Sequence, residues 1–584
     1  MDDISVGASS SHESGDESYS LGYSSSDDDI SLGGSSSDDT SGSEGREDFQ
    51  LRIRDQLESD DPELTELKIN SRDGYFPHDG DWERDGRATG ENTRIKELHL
   101  GSFDWIYAQR KGIEAFFGGL AYNKSIEILE ITYPNRETFN MLGPFFAQNY
   151  NLRCLRLPNG SFECNLPECL AKFNTLSEFT CFYLDLCDED GEGLIQAISG
   201  HRQMITIGLG NGKVGGRGMV ALVNLLSNPL CSLADLGLHC CSISDESVVM
   251  LANAMAKNTS LRKLNLGGNG RISIVGWRAL LTQLQQPQSS LEELVMWGNT
   301  IDHNIANLLA NTLVCSKKLK RIDLAFSSDT NDLTSEDWRA VFGALQNPSC
   351  ILQELDIHSN SLRDEDVTYL ANSLANNCLL KRLNLQSNGM VTDLGWGALC
   401  TVFRNPNSAL ESVNLGHNSI SDNLLPSFAA SLVSNANLEE LYFEQRMSDN
   451  TADAFSHLLC NESSIIDTYN SNHTLRRIGS EINQDYLLST HLSSLFHINR
   501  DHGKFEAARR KIIKVHFSGT ESSNMQPFVD MELEVFPLII AWMAKDGYGK
   551  SLLFQFLCNN SFMFEVSQGT NTETEGRWKK RQGC

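Results

Sequence analysis

The chain lacks a hydrophobic segment long enough to cross a bilayer. Its longest apolar run, Val535 to Ala544, is about half of the roughly 20 residues a spanning helix needs. Nothing near Met1 joins a basic start to an apolar stretch, and the acidic opening speaks against a mitochondrial transit peptide, so an intracellular protein without a membrane anchor is expected. Bases are scarce: 48 Lys and Arg face 77 Asp and Glu, for a net charge of −29. Most of such a surface repels nucleic acid. Fifteen cysteines without a secretory signal read as reduced, mostly buried thiols, and acceptor patterns such as Asn258-Thr259-Ser260 carry no sugar. Metal-ligand spacing is missing too. Cys164 to Cys169 and Cys181 to Cys187 lack the short pairs of zinc knuckles, and His491, His497 and His502 share no helical face, so no metal or cofactor is expected.

Catalytic signatures are equally sparse: the chain has no Gly-x-Ser-x-Gly elbow, paired-His zinc motif or kinase set, and it reads as a non-enzyme. Ala544-Lys545-Asp546-Gly547-Tyr548-Gly549-Lys550-Ser551 matches a phosphate loop if Ala replaces the first Gly. Lys550 would then reach the outer phosphate and Ser551 would ligate magnesium. Only 33 residues follow Ser551, too few for the sheet and distal acid such a site needs. A tight turn that uses Gly547 and Gly549 is the simpler reading.

Residues 1–48 carry thirteen acids against the single base Arg46 and almost no branched or aromatic side chains. They cannot bury enough surface to offset ordering entropy and are expected to form a disordered tail. Ser24, Ser25 and Ser26 precede Asp27, Asp28 and Asp29 by three positions, and Ser35 and Ser36 precede Asp38 and Asp39. That is the acidic context favoured by casein-kinase-2-type enzymes, and a plain solubilising tail explains it equally well.

What the chain has is repetition. From Leu64 to about Ile478 an apolar residue recurs at i, i+3 and i+5, often with Asn or Cys at i+8 and another apolar residue at i+10. Strong copies begin at Leu233, Leu261, Leu291, Leu352, Leu380 and Leu410; weaker ones begin at Leu64, Ile95, Ile126, Leu152, Leu176, Met204, Leu319, Leu438 and Leu475. Positions i+3 and i+5 alternate as the inward face of a short strand, and Asn at i+8 can satisfy backbone groups buried by the turn. Helices are expected between strands, with Asp245 to Met255, Asp302 to Leu313 and Asp364 to Leu374 the clearest. Alternate repeats carry Trp277, Trp338 or Trp396 ten residues before Pro287, Pro348 or Pro406, and Met219 stands likewise before Pro229. Packing between outer helices accounts for these tryptophans.

Strand pattern, a repeat length near 28 to 30 residues and two-repeat alternation resemble the ribonuclease-inhibitor class of leucine-rich repeats. The resemblance implies an α/β solenoid, curved, with parallel strands on the concave face and helices on the convex face. The expected organisation is a tail over 1–48, the solenoid over 49–479, a helical cap over 480–570 and a flexible basic tail over 571–584. In the cap, Leu488, Leu492, Leu495 and Phe496 share one face, as do Phe505, Ala508 and Ile512. Lys504 to Phe517, Phe528-Val529-Asp530-Met531-Glu532 and the segment around Trp542 are similar to a C-terminal segment of cytosolic algal leucine-rich-repeat proteins. Arg509, Arg510, Lys511 and Lys514 read either as a site for an acidic partner or as a solvated face, and Trp578-Lys579-Lys580-Arg581 as a weak nuclear signal or a plain basic end.

The resemblance implies a scaffold or inhibitor that docks a partner protein on its concave face. The runner-up is a GTPase activator, because similar repeats form the activator of the Ran GTPase, which also has an acidic segment, though at its C-terminus. The side chains at i+2, i+4 and i+6 should project from that face: Glu293, Val295 and Trp297; Arg321, Asp323 and Ala325; Glu354, Asp356 and His358; Arg382, Asn384 and Gln386; Glu440, Tyr442 and Glu444. Trp297 and Tyr442 are the expected anchors, and the acids around them favour a partner with a basic patch. Since nothing in residues 1–48 can join a core, their deletion should leave the melting transition nearly unchanged; a large loss of cooperative unfolding would refute that reading.

Overall fold

The computed structural model describes residues 44–69, 81–101, 106–132, 136–159, 166–171, 174–183, 188–326, 333–444, 447–480, 489–516 and 541. The phosphate-loop-like segment, the region around Trp542 and the basic end lie outside them. The chain divides into two units, residues 1–52 and 53–584, and the second carries the repeats.

Every repeat start read from the sequence lies two residues before a strand. The strands are β1 (Glu66–Ile69), β2 (Glu97–Leu100), β3 (Ile128–Ile131), β4 (Cys154–Leu157), β5 (Glu178–Phe182), β6 (Thr206–Gly210), β7 (Asp235–His239) and β8 (Lys263–Asn265). They continue as β9 (Glu293–Val295), β10 (Arg321–Asp323), β11 (Glu354–Asp356), β12 (Arg382–Asn384), β13 (Ser412–Asn414), β14 (Glu440–Tyr442) and β15 (Arg477–Gly479). All are parallel, in one sheet, in sequence order. Register is constant: Glu293, Arg321, Glu354, Arg382 and Ser412 are successive partners. The spaced apolar residues are the core, as Leu352, Leu355 and Ile357 illustrate, each contributing about 1.5 to 3 kcal/mol by leaving water.

Two asparagine ladders hold the strand ends. The one expected at i+8 is present: Asn388 Nδ2 donates to Ile357 O and Leu385 O at 3.1 and 3.0 Å, while its Oδ1 accepts from Asn360 N at 3.1 Å. Asn269, Asn299, Asn360 and Asn418 make equivalent bonds to the preceding repeat. They support a turn in which nine residues at i+7, from Tyr183 to His417, have φ between 51° and 66°. That left-handed conformation costs a non-glycine residue about 1 kcal/mol; glycine occupies it at Gly268 and Gly298.

The second ladder, at i−3, was not anticipated. Asn92, Asn123, Asn149, Asn258, Asn377, Asn435 and Asn472 are all buried. Asn123 is typical: Oδ1 accepts from Ser125 N and Ile126 N, both at 2.9 Å, and Nδ2 donates to Thr89 O at 2.8 Å. His201 fills the same slot, its Nδ1 accepting from Leu176 N at 3.2 Å. This ladder serves the first repeats, where i+8 holds no Asn.

Acids tie successive helices together on the far side. Asp364 accepts from Thr392 N and Oγ1, both at 2.7 Å, and from Gly395 N at 3.1 Å. Asp245 does the same for Ser273 and Gly276. The first acid of one helix thus caps the next. Asp302 is itself a cap, outside helix His303–Cys315, accepting from Ile305 N at 2.8 Å. Trp277, Trp338 and Trp396 are buried in outer helices as expected, and Trp338 stacks on Phe342 at 5.4 Å.

Helices Thr490–Asp501 and Lys504–His516 follow β15 and pack on the last outer helices, Asp449–Leu459 and Ile465–Tyr469. Leu492, Leu495, Phe496, Ala508 and Ile512 are buried as expected; Phe505 is exposed, and Lys511 is fully buried. Its Nζ donates to Leu459 O at 2.7 Å and Asn472 O at 3.3 Å, satisfying carbonyls where the stack ends. Arg509 and Arg510 both pair with Glu506, and Lys514 donates to Ser494. Arg509 and Lys511 are thus buried within the chain, while Arg510 stays on the exposed face of its helix.

If both ladders carry register, replacing Asn388 or Asn435 with Ala should each cost about 1 to 3 kcal/mol through unpaired buried backbone groups. Urea unfolding measures this, and a variant as stable as the native chain would show its rung to be idle.

Candidate functional site

The constant register turns the outer face of the sheet into three rows of side chains, at i+2, i+4 and i+6, about 6.7 Å apart along each strand. Neighbouring strands lie about 4.8 Å apart, so long side chains in one row must touch.

The i+2 row alternates in sign at its centre. Lys263 pairs with Glu293 at 3.4 Å, Arg321 with Glu293 at 3.5 Å and with Glu354 at 3.6 Å, and Arg382 with Glu354 at 2.8 Å. Arg477 and Glu440 pair at 3.3 Å further on. A flanking row at i+1 repeats the motif, with Glu292 between Arg262 and Lys320. Glu293 and Glu354, two of the acids expected to favour a basic partner, are thus each paired with bases one strand away. Such exposed pairs add at most about 1 kcal/mol each, but they fix where each charge stands.

In the i+4 row, Val295, Asp323 and Tyr442 are buried at 5%, 9% and 7% exposure. Ala325, at i+6, is fully buried. Tyr442 was expected to be a projecting anchor; instead it is buried beside Arg477 and Glu440, and burial pushes its hydroxyl up to about 12. The row is packed by its neighbours on both sides, and a period-2 reading of one strand cannot show this. Asp356 Oδ1 lies 2.7 Å from His358 Nδ1, and Asn384 Nδ2 donates to Asp356 Oδ2 at 3.1 Å. Gln386 accepts from Asn414, and Glu444 reaches His417 at 2.7 Å. Burial, and then the adjacent Asp356, push Asp323 up to about 6. His358 is raised, the bond and charge of Asp356 and the charge of Asp323 outweighing its burial.

The i+6 row holds what the sequence reading missed. Phe182, His239 and Trp297 stand on every second strand, separated by Gly210 and Gly267. Phe182 and His239 meet at 5.2 Å between ring centroids, and His239 and Trp297 at 6.3 Å. A Cβ on Gly210 would lie 2.2 Å from His239 Nε2, and one on Gly267 2.3 Å from the Trp297 indole. The glycines are seats for the rings. Trp297 is thus half-laid on the sheet, with part of its surface exposed. Alternating Gly and aromatic residues at i+6 were the available signal, hidden because β5 and β6 belong to weaker copies of the repeat.

Among the described residues, Glu66, Glu97 and His99 could converge on a metal. Lys68 pairs with Glu66 at 2.9 Å, and His99 Nε2 lies 3.2 Å from the same carboxylate.

Asp323 gives a pH prediction. Its ordinary value is 3.8, so between about 4 and 6 the fold retains a proton that the unfolded chain has lost, and stability falls as pH rises through this window. Asp323→Asn should melt higher than the native chain at pH 7.5, with the gap closing towards pH 4. Thermal melts at the two pH values check it, and no gain at pH 7.5 contradicts it.

The family model described as Leucine Rich repeat matches residues 257–281 and 376–400. NACHT, LRR and PYD domains-containing protein 14 of Homo sapiens is 29% identical over 290 residues, 49% of this chain and 24% of that protein. Ribonuclease inhibitor of Sus scrofa is 27% identical over 279 residues, 48% of this chain and 58% of that protein. Ribonuclease inhibitor of Mus musculus is 29% identical over 224 residues, 38% of this chain and 48% of that protein. The chain therefore spans between about a quarter and 58% of the length of these relatives. The repeat spacing, the single parallel sheet and these matches make the chain a leucine-rich-repeat solenoid, similar in its repeats to the ribonuclease inhibitors.

Proposed function

We propose that this chain is an intracellular protein-binding scaffold or inhibitor that docks a folded partner on the strand face of its solenoid. The observation that carries the reading is the continuous register of fifteen parallel strands. At about 4.8 Å per strand, and about 13 Å from the i+2 row to the i+6 row, this face measures on the order of 900 Å². One side of a standard protein interface needs about 800 Å². A cleft of about 330 Å³, lined by Glu192, Arg217, Val220 and Asn228 among others, lies between outer helices; it is the size of a small-molecule site but is placed away from the strand face. The similarity to ribonuclease inhibitor, named for holding another protein, supports the same class of activity.

Projecting residues, and not the buried ones, should carry affinity. Trp297 offers a part-exposed indole and Arg382 an exposed guanidinium. With a partner recovered on the full-length chain and identified, Trp297→Ala should weaken binding by about 2 kcal/mol or more, and Arg382→Glu by at least about tenfold through charge reversal beside Glu354. Titration calorimetry reads both. Unchanged affinity for both variants, each folded, would move the site off the strand face.

A further inference from the structure

We infer that the strand face between β5 and β9 is built to seat a lysine or arginine side chain of the partner, between the aromatic shelf of Phe182, His239 and Trp297 and the carboxylate of Asp235. This rests on the proposal that the strand face is the docking surface.

The i+4 row beside the shelf is bare on two successive strands. Gly208 and Gly237 are register partners on β6 and β7, and a Cβ added at Gly237 would meet nothing closer than Gly208 Cα, at 3.4 Å. No neighbouring side chain lies close over Gly237. The floor there is backbone, in a row that elsewhere packs Val295, Asp323 and Tyr442 to below a tenth exposed. One wall is the shelf, whose rings touch over Gly210 and Gly267. The other wall is the i+2 row.

That second wall sets the charge of the occupant. Glu178 pairs with Arg156 at 3.1 Å, and Glu293 with Lys263 and Arg321. Asp235, between them, has no side-chain hydrogen bond or ion pair among the described residues. Burial, opposed by Lys263 but reinforced by Glu293 and Glu178, raises its carboxyl, as expected of an acid short of a counter-ion. A depression with rings on one side and an uncompensated carboxylate on the other suits a side chain with an apolar stem and a cationic head. A neutral apolar side chain would leave Asp235 buried without a partner, and an acidic one would add a fourth negative charge.

The test uses the full-length chain and two fluorescein-labelled octapeptides that are alanine throughout except for one central residue. That residue is lysine in one and norleucine, which keeps the stem without the charge, in the other. By fluorescence anisotropy at low salt the lysine peptide should bind at least about tenfold more tightly. Asp235→Asn should abolish the difference, and Gly237→Val, filling the floor, should weaken the lysine peptide by a similar factor. Leu394→Ala, at an exposed position on an outer helix, should change neither. Equal binding of the two peptides, no binding of either, or a lysine preference that survives Asp235→Asn overturns the seat. A partner that still loses affinity with Trp297→Ala in those cases leaves the docking surface standing; one that does not removes both.

Discussion

Each strand is only three to five residues long, so the chain must turn twice per repeat beneath a dry core, and every amide and carbonyl removed from water at those turns needs an internal partner. The rest of the structure follows from that constraint. A primary amide can accept at one end and donate at the other, so one Asn per turn closes the local bonds and reaches the preceding repeat. Hydrophobic burial supplies far more free energy per repeat than these bonds, each of net worth about 1 kcal/mol. It is also non-directional. The amides specify that repeat follows repeat at one fixed height, and that height makes Glu293 the neighbour of Arg321 over the whole sheet.

Register then governs the outer face. Rows of side chains become chemical units: a charge-alternating row at i+2, a packed row at i+4 and an aromatic row at i+6. The consequences differ by row. Salt bridges between neighbouring strands pair Glu293 and Glu354 with bases on the next strand, and the aromatic rings reach each other only because glycine stands between them. The end of the stack faces the same hydrogen-bond shortage, and there Asn499 and the buried Lys511 supply donors to Leu475 and Leu459 carbonyls.

Strand positions, the i+8 ladder and the buried tryptophans of the outer helices were legible because each is a spacing along one segment. The i−3 ladder was not: Asn123 or Asn435 lies in the turn after a helix, before the apolar pattern that marks a repeat begins, and His201 breaks its identity. The burial of Tyr442 and Asp323 was illegible for another reason. Whether an outward-pointing side chain stays exposed depends on residues some 30 positions away on the flanking strands, as Arg477 shows for Tyr442. The aromatic row was illegible because Phe182 and Gly210 belong to weaker copies of the repeat, and the strand that carries His239 does not by itself show that its ring meets Phe182 and Trp297.

The central claim is that a partner is held on this registered strand face. Hydroxyl-radical footprinting of the full-length chain, with and without its identified partner, tests it most directly. The account predicts protection of Trp297, His358 and Phe182, with the exposed helix-side residues Val220, Val275 and Leu394 unchanged. Protection of Val220, Val275 and Leu394 with the strand face unaltered would contradict it.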